Sequence, residues 1–180
     1  MAKKILILSG SPRKGGNSDL LCDEFLRGAT DAGNEVEKIF VSGKNIGYCR
    51  ACYYCKSHSG QCAVKDDMSE VLQKMLDADI IVMATPVYFY SINAQLKTVI
   101  DRTVARWLEF KNKTFYYIMT AAEASAEVMD CSLACLSGLA ECLQGSVEGG
   151  VIYGKGVYER GVVKDLPVMQ DAYNMGHSIK

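Results

Sequence analysis

The chain has 180 residues, 20 of them Lys or Arg and 21 Asp or Glu, giving a formal net charge of −1 at pH 7. Residues 1–180 are therefore expected to form a single domain with a sizeable core, and the near-neutral balance argues against nucleic acid or an anionic membrane as partner. No apolar run reaches the ~20 residues of a bilayer span, Met1-Ala2-Lys3-Lys4 opens too short an apolar stretch for a signal peptide, and 8 cysteines without such a signal point to a reducing cytoplasm, where clustered thiols bind metal or do redox work.

The first predicted element is the strand Lys4 to Leu8, a β-branched apolar run of the kind buried on both faces. It flows into Ser9-Gly10-Ser11-Pro12-Arg13-Lys14-Gly15-Gly16-Asn17-Ser18. A helical pattern from Ser18 to Ala32 follows, with Leu20, Leu21, Phe25 and Leu26 on one face. A strand, a polar loop and a helix start make an anion site, because the first helical turn has unpaired N–H groups and the positive end of the dipole. Ser9, Ser11 and Ser18 add hydroxyls, and Arg13 and Asn17 add further donors. The loop is not a Walker A motif: Gly10 and Gly15 have the spacing, but Gly16 stands where Lys is required. Nor is it a dinucleotide fingerprint, since Pro12 takes the second Gly position and no acidic residue closes the second strand at Phe40-Val41-Ser42. Its hydroxyls suit a terminal phosphate monoester such as that of flavin mononucleotide (FMN). A solvated turn with a helix cap at Asn17 or Ser18 is the plainer alternative.

The second strand is predicted over Val36 to Val41. The irregular stretch from Ser42 to Lys65 is long enough to be functional. It holds Cys49, Cys52, Cys55 and Cys62, spaced C-x2-C-x2-C-x6-C. Short overlapping C-x2-C runs are typical of [4Fe–4S] ligation, whereas structural zinc usually takes two separated pairs. Free or redox-active thiols are a third reading. His58, inside this loop, reads as solvent-exposed. A helix from Asp66 to Asp77 follows, its two leading carboxylates favourably placed on the dipole.

The third strand, Ile80 to Ala84, leads into Thr85-Pro86-Val87-Tyr88-Phe89-Tyr90-Ser91. That segment either offers aromatic walls to a flat heteroaromatic ring or merely covers the end of the sheet. A helix from Ile92 to Trp107 carries Asp101-Arg102, read as a surface ion pair. The fourth strand, Thr114 to Thr120, ends at Ala121-Ala122-Glu123. In the helix from Ser125 to Leu143, Cys131, Cys135 and Cys142 share a face with Val128 and Leu139 and read as buried small hydrophobes, as does Cys22 earlier. A fifth strand from Val147 to Tyr153 and a last helix capped near Asp165 complete the chain. Five β-α units predict an α/β fold: a three-layer doubly wound sandwich around a five-stranded parallel sheet of flavodoxin-like order 2-1-3-4-5. The ligand is expected past the carboxyl ends of the strands, where Ser9–Ser18, Thr85–Ser91 and Thr120–Glu123 meet.

The stretches GSPRKGGNS, KDDM and ATPVYFYSINAQLKTVIDR together resemble the NAD(P)H-dependent FMN reductase family of flavodoxin-like proteins. The cysteine spacing is similar to that of its iron–sulfur flavoprotein branch. The likeness runs from about Lys3 to Arg102. It departs from the family at Tyr90 and at Ala121-Ala122, where small glycines are common. The resemblance implies FMN, its phosphate held by Ser9, Ser11, Arg13, Asn17 and Ser18. Its ring would be lined by Pro86, Val87, Tyr88, Phe89 and Ser91 and closed on the far side by Thr120 and Ala121. It further implies NAD(P)H as electron donor, a quinone or other small molecule as acceptor, and a homodimer or homotetramer. With a [4Fe–4S] cluster on the four loop cysteines, electrons would pass between flavin and cluster, and a protein partner could take them. The alternative is a non-enzymatic electron carrier, against which the net charge of −1 counts, since carriers are steered by acidic surfaces. A receiver domain of the same topology would need acidic residues after the first strand to hold Mg²⁺, and Ser9 and Gly10 stand there instead. No side chain is assigned as catalytic.

Overall fold

Alternation within β1 (Lys4–Ser9) decides the layering. In the computed structural model, which describes residues 1–180, Leu6 and Leu8 join one core cluster while Ile5 and Ile7 join the other. Period-two geometry does this to any strand buried on both faces. After β1 come α1 (Asn17–Asp31), β2 (Glu35–Phe40), α2 (Tyr54–Ser57), α3 (Met68–Asp77), β3 (Ile80–Tyr88) and β4 (Ser91–Ile92). They are followed by α4 (Ala94–Arg102), β5 (Thr114–Thr120), α5 (Asp130–Cys142), β6 (Val147–Gly154) and α6 (Val168–His177). The parallel strands stand in the order β2-β1-β3-β5-β6, and the two-residue β4 pairs only with β3, antiparallel. That small strand shifts the numbering to 2-1-3-5-6; the five parallel strands keep the predicted succession.

On one face of the sheet α1 lies against α6 at touching backbones. A Cβ on Gly28 would come 2.0 Å from the Tyr173 carbonyl oxygen, and one on Gly176 would come 2.2 Å from that of Phe25. The other face is covered by α3, α4 and α5, through Val71, Met75, Leu96, Val99 and Leu136. No helix is long and apolar enough to cross a membrane.

Local differences from the sequence reading have local causes. The helix predicted over 92–107 stops at Arg102 and continues as two 3₁₀ turns, Thr103–Ala105 and Trp107–Glu109. The last helix starts not at Asp165, which ends a 3₁₀ turn, but after Pro167, a residue suited to a helix start. Two assignments on helices are reversed. Cys131 and Cys142 are exposed and Cys135 half-buried, because Leu136, Leu139 and Ala140 take the buried side of α5. Asp101 pairs with Lys97, whereas Arg102 is 2% exposed and pairs with Asp66. Cys22 is fully buried, as expected.

The third strand also runs on to Tyr88 and returns through a hairpin. Phe89 (φ 49°) and Tyr90 (φ 65°) form its two-residue tip. Positive φ at both positions is what such a turn requires, and Asn-Gly satisfies it without strain. Phe89 and Tyr90 hold it at a cost of roughly 1–3 kcal/mol each. Replacing the pair by Asn-Gly is expected to raise unfolding stability by about 1–2 kcal/mol in urea denaturation; an unchanged midpoint would show that the tip is unstrained.

Candidate functional site

The sheet reverses its winding between β1 and β3. β1 ends at Ser9, opposite Ala84, while β3 continues beside β5 as far as the Pro86–Thr120 pair. A crevice opens at such a switch point, and the loop after β1 fills its floor. Gly10 N–H donates to Ala84 O at 2.8 Å, and a Cβ on Gly10 would come 2.8 Å from that oxygen. The buried Asn93 amide donates to Gly10 O, and Thr85 Oγ1 donates to Asn93 Oδ1 at 3.1 Å, so the loop is bolted to the end of β3.

Helix α1 starts at Gly16 with no side-chain cap. The predicted cap at Asn17 or Ser18 is absent, and the N–H groups of Asn17, Ser18 and Asp19 donate to no carbonyl of the chain. Ser18 is 1% exposed, and its hydroxyl makes no hydrogen bond within the chain. Arg13 is exposed at the mouth.

Two predicted side-chain contacts to phosphate are corrected, because each polar group already has protein partners. Ser9 Oγ donates to Asp19 Oδ1 at 2.8 Å. Asn17 Nδ2 donates to the carbonyls of Val157 (3.0 Å) and Glu159 (2.8 Å), and its Oδ1 accepts from Gly161 N–H (2.9 Å). Asn17 thus laces the segment after β6 onto the loop after β1 and leaves only its backbone N–H for a ligand. Arg160, from the same segment, donates through Nε to Gly15 O at 3.3 Å.

Asp19 shapes the loop from beneath. Burial pushes its pKa up, but Gly15 N–H, the Ser9 hydroxyl and the Lys38 ammonium outweigh that and hold it below the ordinary carboxylate value. Lys38 Nζ stands 3.1 Å away and offsets the charge. Asn93, Asp19 and Arg160 carry no motif of their own, and sequence reading passed over them.

A cavity of about 140 Å³ opens above the free N–H groups. Ser11, Arg13, Gly16, Asn17 and Ser18 line one side, Pro86, Val87 and Tyr88 another, and Thr120 and Ala121 the third. Ala122, Val157 and Tyr158 complete the wall. Phe89 and Ser91, predicted to line the ring, lie outside it, because the hairpin turns them away: Phe89 is fully exposed at the tip, and Ser91 pairs with Tyr88. The volume is below the ~300–1,000 Å³ usual for enclosed ligand pockets. Of its lining residues, Tyr88 and Tyr158 are 39% and 72% exposed.

The second site is the cysteine loop. Cys49, Cys52, Cys55 and Cys62 all line one cavity of about 650 Å³, walled by Ile100, Val104, Trp107, Leu139 and Leu143, with Cys142 on its rim. No three side chains stand close enough to share a single metal ion, whereas a cubane puts each cysteine on its own corner iron and so spreads its sulfurs. Positive φ falls in every interval between the four thiols: Ala51 (49°), Tyr53 (56°), then Ser59 (50°) and Gly60 (79°). Left-handed residues set between the thiols bend the backbone into tight turns, a feature that recurs at iron–sulfur and phosphate sites. The donor set and backbone therefore fit a cluster. His58 is exposed and stacks on Tyr54, with ring centroids 3.5 Å apart.

The sequence pattern of the NADPH-dependent FMN reductase family matches residues 3–136. An iron–sulfur flavoprotein of Archaeoglobus fulgidus is 40% identical over 99 residues, covering 55% of this chain and 44% of that protein. One of Methanocaldococcus jannaschii is 42% identical over 100 residues, covering 56% and 51%. The chain spans about half the length of these curated relatives. In fold it is similar to an FMN-dependent NADH-azoreductase of Bacillus anthracis solved with FMN, with TM-score 0.71, 18% identity, and coverage of 97% of this chain and 96% of that one.

Proposed function

The chain belongs to the NADPH-dependent FMN reductase family, and from that premise we propose that it is an FMN-dependent oxidoreductase drawing electrons from NAD(P)H. The acceptor is a quinone or another small molecule, or an iron–sulfur centre on Cys49, Cys52, Cys55 and Cys62. The observation that carries the reading is the uncapped start of α1, with its free N–H groups facing the cavity walled by Pro86–Tyr88 and Thr120–Ala121.

The N–H groups of Asn17, Ser18 and Asp19 point along the helix dipole at a phosphate, and the hydroxyls of Ser11 and Ser18 and the Arg13 guanidinium close around it. FMN, when bound, supplies the two-electron and one-electron chemistry that side chains lack. Pro86, Val87 and Ala121 exclude water from one edge of the ring. The open side remains free for NAD(P)H, for the acceptor, or for a second copy of the chain. No side chain at this site need move a proton; the protein's part is to hold and orient.

Arg13→Ala is expected to weaken FMN binding about 10- to 100-fold, since a hydrogen bond to a charged group contributes about 1.5–3 kcal/mol. Quenching of flavin fluorescence on titration of the apo-protein measures it. Equal affinity in variant and parent, or a parent that takes up no flavin, removes the phosphate assignment.

A further inference from the structure

Arg102 closes α4 beneath the cysteine loop and is 2% exposed. Its Nη1 and Nη2 grip Asp66 at 2.7 and 3.0 Å, and Nη1 also donates to Gly47 O at 2.6 Å. These bonds account for the fork but leave Nε, which is buried with no partner in the chain. A buried N–H left unpaired is costly, so it marks a position built to meet an acceptor. Arg102 and Cys62 both line the apolar cysteine cavity and both line a second cavity of about 360 Å³ on the loop's other flank. Arg102 and Cys62 therefore stand together on the wall between the two cavities.

We infer that Arg102 is a positioning residue for the centre on the cysteine loop, its Nε–H donating to the Cys62 sulfur and raising the centre's reduction potential. The inference rests on the iron–sulfur reading proposed above. Hydrogen bonds to ligand sulfur stabilise the more electron-rich state, which is why they shift cluster potentials. Cys62 is also the ligand farthest along the chain from its neighbours, so it most needs an external anchor.

The test uses protein purified anaerobically, with iron and sulfide analysis and a redox titration followed by electron paramagnetic resonance. Arg102→Lys keeps the charge but has no donor at the Nε position, and its midpoint potential is expected to fall. Asp66→Asn keeps Nε and removes a negative charge, so its potential is expected to stay level or rise. A fall in both variants, or in neither, overturns the inference while leaving the cluster in place. Wild-type protein without iron overturns the cluster reading and the inference with it. A measurement needing no change at Arg102 stands behind these: in an Arg50→Lys chain labelled with nitrogen-15 arginine, a nitrogen coupling to the reduced centre supports the bond, and its absence overturns it.

Discussion

Asp66→Ala is expected to destabilise the protein by about 3–5 kcal/mol, the usual penalty for leaving a buried charge without its partner. Arg102 would keep its positive charge at 2% exposure with the bidentate acceptor gone. Gly47 and Met68 would also lose the carboxylate that accepts their N–H groups at 2.8 and 3.1 Å. Since these contacts tie both ends of the cysteine loop to α4, the loop should lose protection from hydrogen exchange along with the drop in global stability. The effect depends on pH with a definite sign. Burial raises the Asp66 pKa, but the Arg102 guanidinium and the two N–H groups hold it below its ordinary value. The stability it lends is therefore complete above the unfolded carboxylate value of about 3.9 and fades as pH falls through the lower folded value. Urea unfolding at neutral pH and again near pH 3 checks both parts. A loss under about 1 kcal/mol at neutral pH, or one that grows in acid, would rule out the buried pair as the anchor.

Ser18→Asp is expected to abolish FMN binding, by about 100-fold or more, in a protein that still folds. Ser18 faces the small cavity from the first turn of α1, beside N–H groups that have no acceptor. A carboxylate there takes the place intended for phosphate, and like charges brought together cost several kcal/mol. The same carboxylate would meet the free N–H groups of an uncapped helix start, which offset part of the cost of placing a charge at a buried position beside Asp19. Lost affinity in a protein that remains folded separates a ligand site from a structural turn. The paired readout is flavin titration together with a thermal melt. Retained flavin affinity, or a lost fold, would sink the assignment.

The layers were legible from β1, β3 and β5 because runs such as Ile5–Leu8 and Ile80–Ala84 can only be buried on two faces. The phosphate loop was legible because its glycines and hydroxyls lie in one unbroken stretch. What escaped were roles set by partners far along the chain. Asn17 looked like a phosphate donor, yet its amide belongs to residues 157–161. Arg102 looked like half of a surface pair with Asp101, but its partner is 36 residues back. Periodicity likewise placed Cys131, Cys135 and Cys142 on one face of α5 without showing that the sheet covers only the neighbouring leucines. The hairpin at Phe89-Tyr90 carries no Asn-Gly signal, so the sequence suggests only a ring wall or a cover for the end of the sheet and not a turn.

The lacing by Asn17 bears on how the molecule comes into being. The amide joins positions 140 residues apart, so the cradle stays unclosed while a growing chain is still short of β6 and the strap beyond it. Contacts of such separation form late, and a nascent polypeptide released early would show the first sheet pairings yet hold no pigment. Colour would thus arrive only once the two distant segments have met.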